Sequence, residues 1–249
     1  MMKKKFFSAK TALLISAAAV LLVGSAVGST RAALTYYSEN YGAQISVPSI
    51  GVSLVENGTV VSSRDYEGNT WSESSGELLT GLLAEGEKVT LGQDYTEELS
   101  VTNSGTIDTF VRVILTKSWQ DENGVKDTSL SPELIDLNLL TGNGWVIDES
   151  ASTSERRVLY YTNALASGES TTPLSDTISI DPAVGTKVTR TESTDAEGNT
   201  TITMKYAYDG YTFHLDAEVD AVQTHNAEEA IRSAWGVDVV SDGNTISLR

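Results

Sequence analysis

Residues 83–119 read LAEGEKVTLGQDYTEELSVTNSGTIDTFVRVILTKSW, and the way this stretch alternates decides the fold. Leu99 and Val101 alternate with Ser100 and Thr102, the period-two pattern of a strand with one buried face. Asn103-Ser104-Gly105 interrupts the run, and Asn and Gly are the residues that enter positive φ at low cost. Phe110-Val111-Arg112-Val113-Ile114-Leu115 follows as a β-branched and aromatic strand. Val111, Val113 and Leu115 lie on one side of it, Phe110 and Ile114 on the other. Apolar residues on both parities suit an inner strand covered on both faces. This strand is therefore expected at the centre of an all-β core.

Upstream, four lysines lie within residues 1–10, and Thr11 to Val27 is an uncharged run of 17 residues rich in Ala, Leu and Val. Gly28-Ser29-Thr30-Arg31-Ala32-Ala33 then supplies small residues and one charge. A basic start, a short apolar centre and a small-residue exit describe a secretory signal helix over residues 1–32. Seventeen residues lie at the lower limit for spanning a bilayer, so contact with a membrane is expected only through this segment while it is uncleaved. Residues 33–249 are expected to form one β domain, with Tyr36, Tyr37, Tyr41, Ile45 and Val47 in an extended first segment. Such an extended segment reads either as an ordinary first strand or as a strand given to a neighbouring molecule.

Turn signals divide the rest into short strands. Asn57-Gly58 marks a hairpin after Val52 and Leu54, Tyr66-Glu67-Gly68-Asn69 reads as a turn, and Ser72 to Gly76 as a polar surface loop. Ser131-Pro132-Glu133 fits a short helix start, with Ser as cap and Pro as first residue. Trp145–Ile147 and Val158–Tyr161 read as strands flanking a polar loop, and Thr177–Ile180 as a strand ended by Pro182. Leu165-Ala166-Ser167-Gly168-Glu169 echoes Leu83-Ala84-Glu85-Gly86-Glu87, which is more often one turn chemistry used twice than a sign of two related halves. Ile202, Met204, Tyr206 and Tyr208 alternate up to Asp209-Gly210, and Tyr211, Phe213, Leu215, Ala217, Val219 and Ala221 alternate away from it, which predicts a hairpin. Asn226-Ala227-Glu228-Glu229 resembles a capping box. It opens a short C-terminal helix with Ala227, Ala230, Ile231, Ala234 and Trp235 on one face, a Glu228–Arg232 pair on the other, and Gly236 at its end. A last hairpin turns at Asp242-Gly243. Evenly spaced short strands with such turns predict a β-sandwich with the helix on its rim.

Charge and composition exclude several chemistries. Seventeen basic residues stand against 34 acidic ones, a net charge of −17, and removing the five bases before Ala33 leaves 12 against 34, or −22. Such a surface repels phosphate backbones, so nucleic-acid binding is not expected. The absence of cysteine removes disulfides, thiol catalysis and thiolate zinc sites. Only His214 and His225 are histidines, too few for a zinc site of three or four ligands, and the His-Glu-x-x-His helix is absent. Asp121-Glu122-Asn123-Gly124 has the wrong glycine spacing for an EF-hand and reads as a plain turn. Asp216, Glu218 and Asp220 share one strand face about 6.5–7 Å apart, a diffuse cation-attracting stripe rather than a cage. Neither Gly-x-Ser-x-Gly nor a phosphate-binding loop occurs. No cofactor is expected and no enzyme activity has positive support.

Several of these motifs, in this order, resemble the TasA and camelysin (CalY) family. Thr30-Arg31-Ala32-Ala33 is similar to its signal exit, where the peptidase SipW cuts between two alanines, and Tyr37-Ser38-Glu39 to the aromatic-Ser/Asn-acid triplet that follows. Leu83–Glu87 resembles the family's Leu-x-Pro-Gly-acid turn, with Glu85 in place of the commoner proline. Leu99–Gly105 resembles its strand ending in Asn-x-Gly, and Phe213–Gln223 its last core strand. The resemblance implies a jelly-roll-type β-sandwich, cleavage between Ala32 and Ala33 by a SipW-like signal peptidase, and export to the cell surface or medium. It further implies a homo-oligomer or fibre, built by donation of the strand bearing Tyr36, Tyr37, Tyr41, Ile45 and Val47. Camelysin-type relatives have also been classed as metallopeptidases, for which these residues give no motif. The reading that competes with a fibre subunit is a monomeric surface module binding glycans or protein through exposed aromatics such as Trp71 or Trp119.

Overall fold

A computed structural model describes residue 17 and residues 49–249, except 68 and 85. The expected signal helix, the Ala32-Ala33 cleavage pair and the segment carrying Tyr36, Tyr37, Tyr41, Ile45 and Val47 lie outside the described residues. Within those described, the chain is all-β, in antiparallel sheets, with one short α-helix.

One layer begins with β1 (Gly51–Glu56), β2 (Thr59–Glu67), β3 (Thr70–Ser74) and β5 (Leu99–Thr102) in the order β3-β2-β1-β5. It continues through β4 (Tyr95–Thr96), β10 (Ser175–Ile180) and β7 (Ile135–Leu139), ordered β4-β10-β7. The two parts join because the amides of Thr171 and Leu174 donate to the carbonyls of Val101 and Leu99, each at 2.8 Å. The second layer is β13-β6-β9-β8, formed by β6 (Thr109–Gln120), β8 (Trp145–Ile147), β9 (Arg156–Leu165) and β13 (Thr212–Gln223).

The double-sided pattern of Phe110–Leu115 has the expected cause. Val111, Val113 and Leu115 pack with Leu54, Leu99, Val101 and Trp145 between the layers. Phe110 and Ile114 face the other way, against Val158, Tyr160 and the helix α1 (Ala227–Trp235), whose Ala227, Ile231 and Trp235 are buried. Full burial of Ile231 alone stabilises by about 1.5–3 kcal/mol. The helix thus covers the outer face of β13-β6-β9, not the rim; its apolar stripe closes the second face of β6. Asn226 stands in the left-handed region at φ 53° and makes no side-chain cap, so the capping box is not formed. The Glu228 carboxylate instead accepts the Ser241 amide at 3.1 Å, and Arg232 pairs with Asp238 at 2.6 Å rather than with Glu228.

Asn103 is the polar keystone between the layers. Fully buried, it donates through Nδ2 to the carbonyls of Ile107 and Leu165 at 2.8 Å, and its Oδ1 accepts the Gly105 amide at 2.9 Å. Its backbone bonds Gly168 and Glu169. The turn after β5 is thereby fixed to the turn after β9. The echo between the two Leu-Ala-x-Gly-Glu segments is shared turn geometry: Glu87 donates to Ala84 and Glu169 to Ala166, both at 3.0 Å, with Gly86 and Gly168 at φ 83° and 79°.

Two expected elements differ. Thr200–Tyr206 does not pair across Asp209-Gly210 with β13; it forms β12, paired with β11 (Val188–Thr194) around the turn Asp195–Asn199. Asp209-Gly210 does reverse the chain, with Gly210 at φ 83°, but the strands on its two sides take different partners. β13 pairs with β6 over all its 12 residues, which buries Leu215 and Val222, whereas β11 and β12 are exposed throughout. Ser72 to Gly76 is not wholly loop: residues up to Ser74 form the exposed edge strand β3. The final turn at Asp242-Gly243 joins β14 (Val239–Ser241) to β15 (Ile246–Leu248) as expected.

Candidate functional site

Among the edges that the topology leaves open in the described residues, the outer edge of β13 has a groove beside it. β13 pairs on one side with β6 and, among the described residues, with nothing on the other. The Thr224 amide donates to Asp108, and the register then turns the even-numbered backbone groups of β13 toward β6. In an antiparallel pair the intervening residues point their N–H and C=O groups away. Phe213, Leu215, Ala217, Val219 and Ala221 therefore present free donors and acceptors along the edge.

The same five side chains point inward, between the layers, yet only Leu215 is fully buried. The reason is a groove of about 710 Å³ between the Phe213–Ala217 end of β13 and a wall made by Leu54, Val61 and the segment around Leu78 and Leu82. A second depression of about 400 Å³ lies between Val219 of β13 and Val52 and Leu54 of β1. Ser62, Ser75, Glu77 and Thr80 share the first lining with these apolar side chains, and Arg64 and Glu73 line the second; pockets beside unpaired main-chain groups are the chemistry of strand addition.

The outward face of β13 is polar. His214, Asp216 and Glu218 are exposed, and His214 Nδ1 stands 3.9 Å from Asp216 Oδ1. Asp220 leaves the expected carboxylate row: its Oδ2 accepts from Arg112 Nε at 2.9 Å, and the guanidinium lies 5.3 Å from the Trp235 ring. His225 is exposed beyond the end of β13. No group of three or more His, Asp or Glu is placed to hold a metal among the described residues. Asp121 accepts the amides of Asn123 and Val125, the geometry of a plain turn, and these bonds hold its carboxyl below the usual carboxylate range.

Of the two tryptophans expected at the surface, Trp71 is there. It is half exposed on β3, with Tyr66 4.9 Å and the Arg64 guanidinium 4.5 Å from its ring. Trp119 is not: it is buried, donates Nε1–H to the Ser131 carbonyl at 2.9 Å, and packs on Tyr208 and Phe213. Residue 119 shares the inward parity of Val113 and Leu115, which removes it from any surface role.

One pair escaped the sequence reading. Glu97 is fully buried between β4 and β5, neither carboxyl oxygen has a hydrogen-bond donor, and it faces Glu56 at the end of β1. Burial, and then the Glu56 charge, push the Glu97 carboxyl up to about 8, against a smaller opposing pull from the Asn57 side chain. Both acids stand on buried parities, Glu56 with Val52 and Leu54, Glu97 with Leu99 and Val101, and that parity was the available signal.

No family model, no curated protein and no solved structure matches this chain.

Proposed function

We propose that this protein is a secreted structural subunit of an extracellular matrix or fibre, a jelly-roll-type sandwich of the TasA and camelysin kind. In this reading a SipW-like peptidase cuts between Ala32 and Ala33. Residues 33–47 of one molecule, carrying Tyr36, Tyr37, Tyr41, Ile45 and Val47, then pair with β13 of the next. The observation that carries the reading is the edge of β13, unpaired among the described residues, beside its groove. Lengths agree as well. Fifteen extended residues reach about 50 Å and the 12-residue β13 needs about 40 Å, at a rise of about 3.3 Å each. Such a head-to-tail contact need not close on itself, and where it does not it builds filaments.

The test compares protein beginning at Ala33 with protein beginning at Ser49, by light scattering and electron microscopy. Long assemblies are expected from the first only; filaments from the second would sink strand donation.

A second reading, a monomeric module for glycans or protein, draws on the Trp71 platform with Tyr66 and Arg64. It predicts a monomer at every concentration in size-exclusion chromatography.

A further inference from the structure

Residues 77–84 and 86–89 belong to a strap that walls the groove beside β13. Leu78, Leu79, Leu82 and Val89 rest half-buried on the core. Among the described residues, a single hydrogen bond ties this strap to the rest of the chain: the Leu79 amide donates to Glu56 Oε1 at 2.6 Å. The others made by its backbone amides are internal, from Leu82 to Leu79, Ala84 to Glu87 Oε2 and Glu87 to Ala84. Leu79 is held at φ 66°, a conformation that a leucine adopts only under constraint. Among the described residues, the one hydrogen-bond anchor of the strained strap is thus a carboxylate, and that carboxylate faces a second, fully buried acid.

We propose that Glu56 and Glu97 are a proton-operated latch: with one proton between them they hold the strap shut through the Leu79 amide, and on losing it they release the strap and widen the groove. The consequence for assembly rests on reading that groove as a strand acceptor; the latch itself does not.

The surroundings favour a shared proton. Two adjacent buried carboxylates cannot both ionise without strong repulsion. No basic side chain pairs with either acid among the described residues. From β10, Glu97 meets neutral groups: its amide donates to the Asp176 carbonyl and its carbonyl accepts from the Ser175 hydroxyl. The Asp176 side chain is turned to Asn138. From the β1–β2 turn comes the neutral Asn57, whose Oδ1 accepts the Glu98 amide at 2.9 Å. Glu77 and Glu87 of the strap are exposed. A proton on one of the two unpartnered Glu97 oxygens turns that oxygen into a donor toward Glu56 and leaves Glu56 as the acceptor for Leu79.

The sign follows from linkage. Glu97 is raised from the ordinary 4.5 to about 8 while the strap is shut; opening that hydrates the carboxyl lowers its value toward the ordinary one, and opening then releases a proton between that lowered value and about 8. Closure is fully favoured below the lower value and weakens until the upper one is passed. The opening constant therefore rises up to tenfold per pH unit across that window and levels off above it. Hydrogen exchange of dilute protein beginning at Ala33 tests this. After correction for intrinsic rates, protection of the Leu79 and Leu82 amides is expected to fall with pH up to about 8, whereas Glu97→Gln, which keeps a donor to Glu56 without the charge, is expected to be flat. A flat wild type, or an equal slope in the variant, overturns the latch. Should the variant not fold, a carbon-13 titration of the wild-type Glu97 carboxyl decides, and a midpoint in the ordinary carboxylate range overturns it. A pH-insensitive strap in protein that still forms filaments sinks the latch alone. A working latch in protein whose filaments survive loss of residues 33–47 sinks strand donation alone.

Discussion

Replacing Asn103 with alanine is expected to cost more than any surface substitution, and the structure fixes the scale. The side chain makes three hydrogen bonds, two from Nδ2 to the Ile107 and Leu165 carbonyls and one from the Gly105 amide to Oδ1. All lie in a site with no solvent exposure at residue 103. Alanine leaves two carbonyls and one amide without partners, and each buried orphan costs about 1–3 kcal/mol. Relaxation and water entry recover part of this, so a loss of about 3–5 kcal/mol is expected, among the large effects known for single substitutions. Urea unfolding followed by tryptophan fluorescence measures it, with the slope unchanged if the native state is otherwise intact. Asn103→Asp separates shape from hydrogen bonding: it keeps size and the acceptor for Gly105 but loses both donors, and is expected to cost at least as much. A loss below about 1 kcal/mol for the alanine variant, with the slope unchanged, would refute the claim that this residue ties the two turns together.

Two further outcomes can be checked on the same curves. Asp220→Ala strips the half-buried Arg112 of its carboxylate under Trp235 and is expected to destabilise by about 2–3 kcal/mol, below the 3–5 typical of a fully buried pair. Added salt is expected to recover little of it. Replacing residues 189–205 with a short Gly-Ser link is expected to change stability by less than about 0.5 kcal/mol, because β11 and β12 are exposed throughout and pair only with each other.

The sequence made the centre of the fold legible and left its long-range pairings obscure, for a physical reason in each case. The two-sided apolar pattern of Phe110–Leu115 states directly that both faces of β6 are covered, and Val113 and Ile114 do face different cores. Asn57-Gly58 names its hairpin because that turn needs positive φ at both residues, here 48° and 80°. Asp209-Gly210 says only that the chain reverses, and the choice between β12 and β6 as the partner of β13 is set by what β6 buries, its paired residues lying 92 to 114 positions earlier (Thr212 with Gln120, Gln223 with Thr109). Residue type suggests a surface place for Trp119, whereas its parity with Leu115 puts it inside. Glu56 and Glu97 were hidden in the same way: acids are counted as surface, yet their alternation with Leu54 and Leu99 puts both within the layers.

An open strand edge is ordinarily a hazard, since any other edge can pair with it. β13 carries its free main-chain groups on residues whose side chains point inward, and between them it projects Asp216 and Glu218 outward. Two such edges meeting side by side bring like charges into register, which disfavours pairing of β13 with β13. The groove adds a second filter, because an incoming strand must fill the space lined by Leu54, Val61, Leu78 and Leu82 on its inner side. In the proposed assembly the segment 33–47 meets both conditions. Its one acid, Glu39, is balanced by the amine that cleavage frees at Ala33, and Tyr36, Tyr37, Tyr41, Ile45 and Val47 supply the apolar and aromatic bulk. After the proposed cleavage a net charge near −22 would keep whole molecules apart; a neutral strand lets one edge be satisfied without that repulsion at the contact itself.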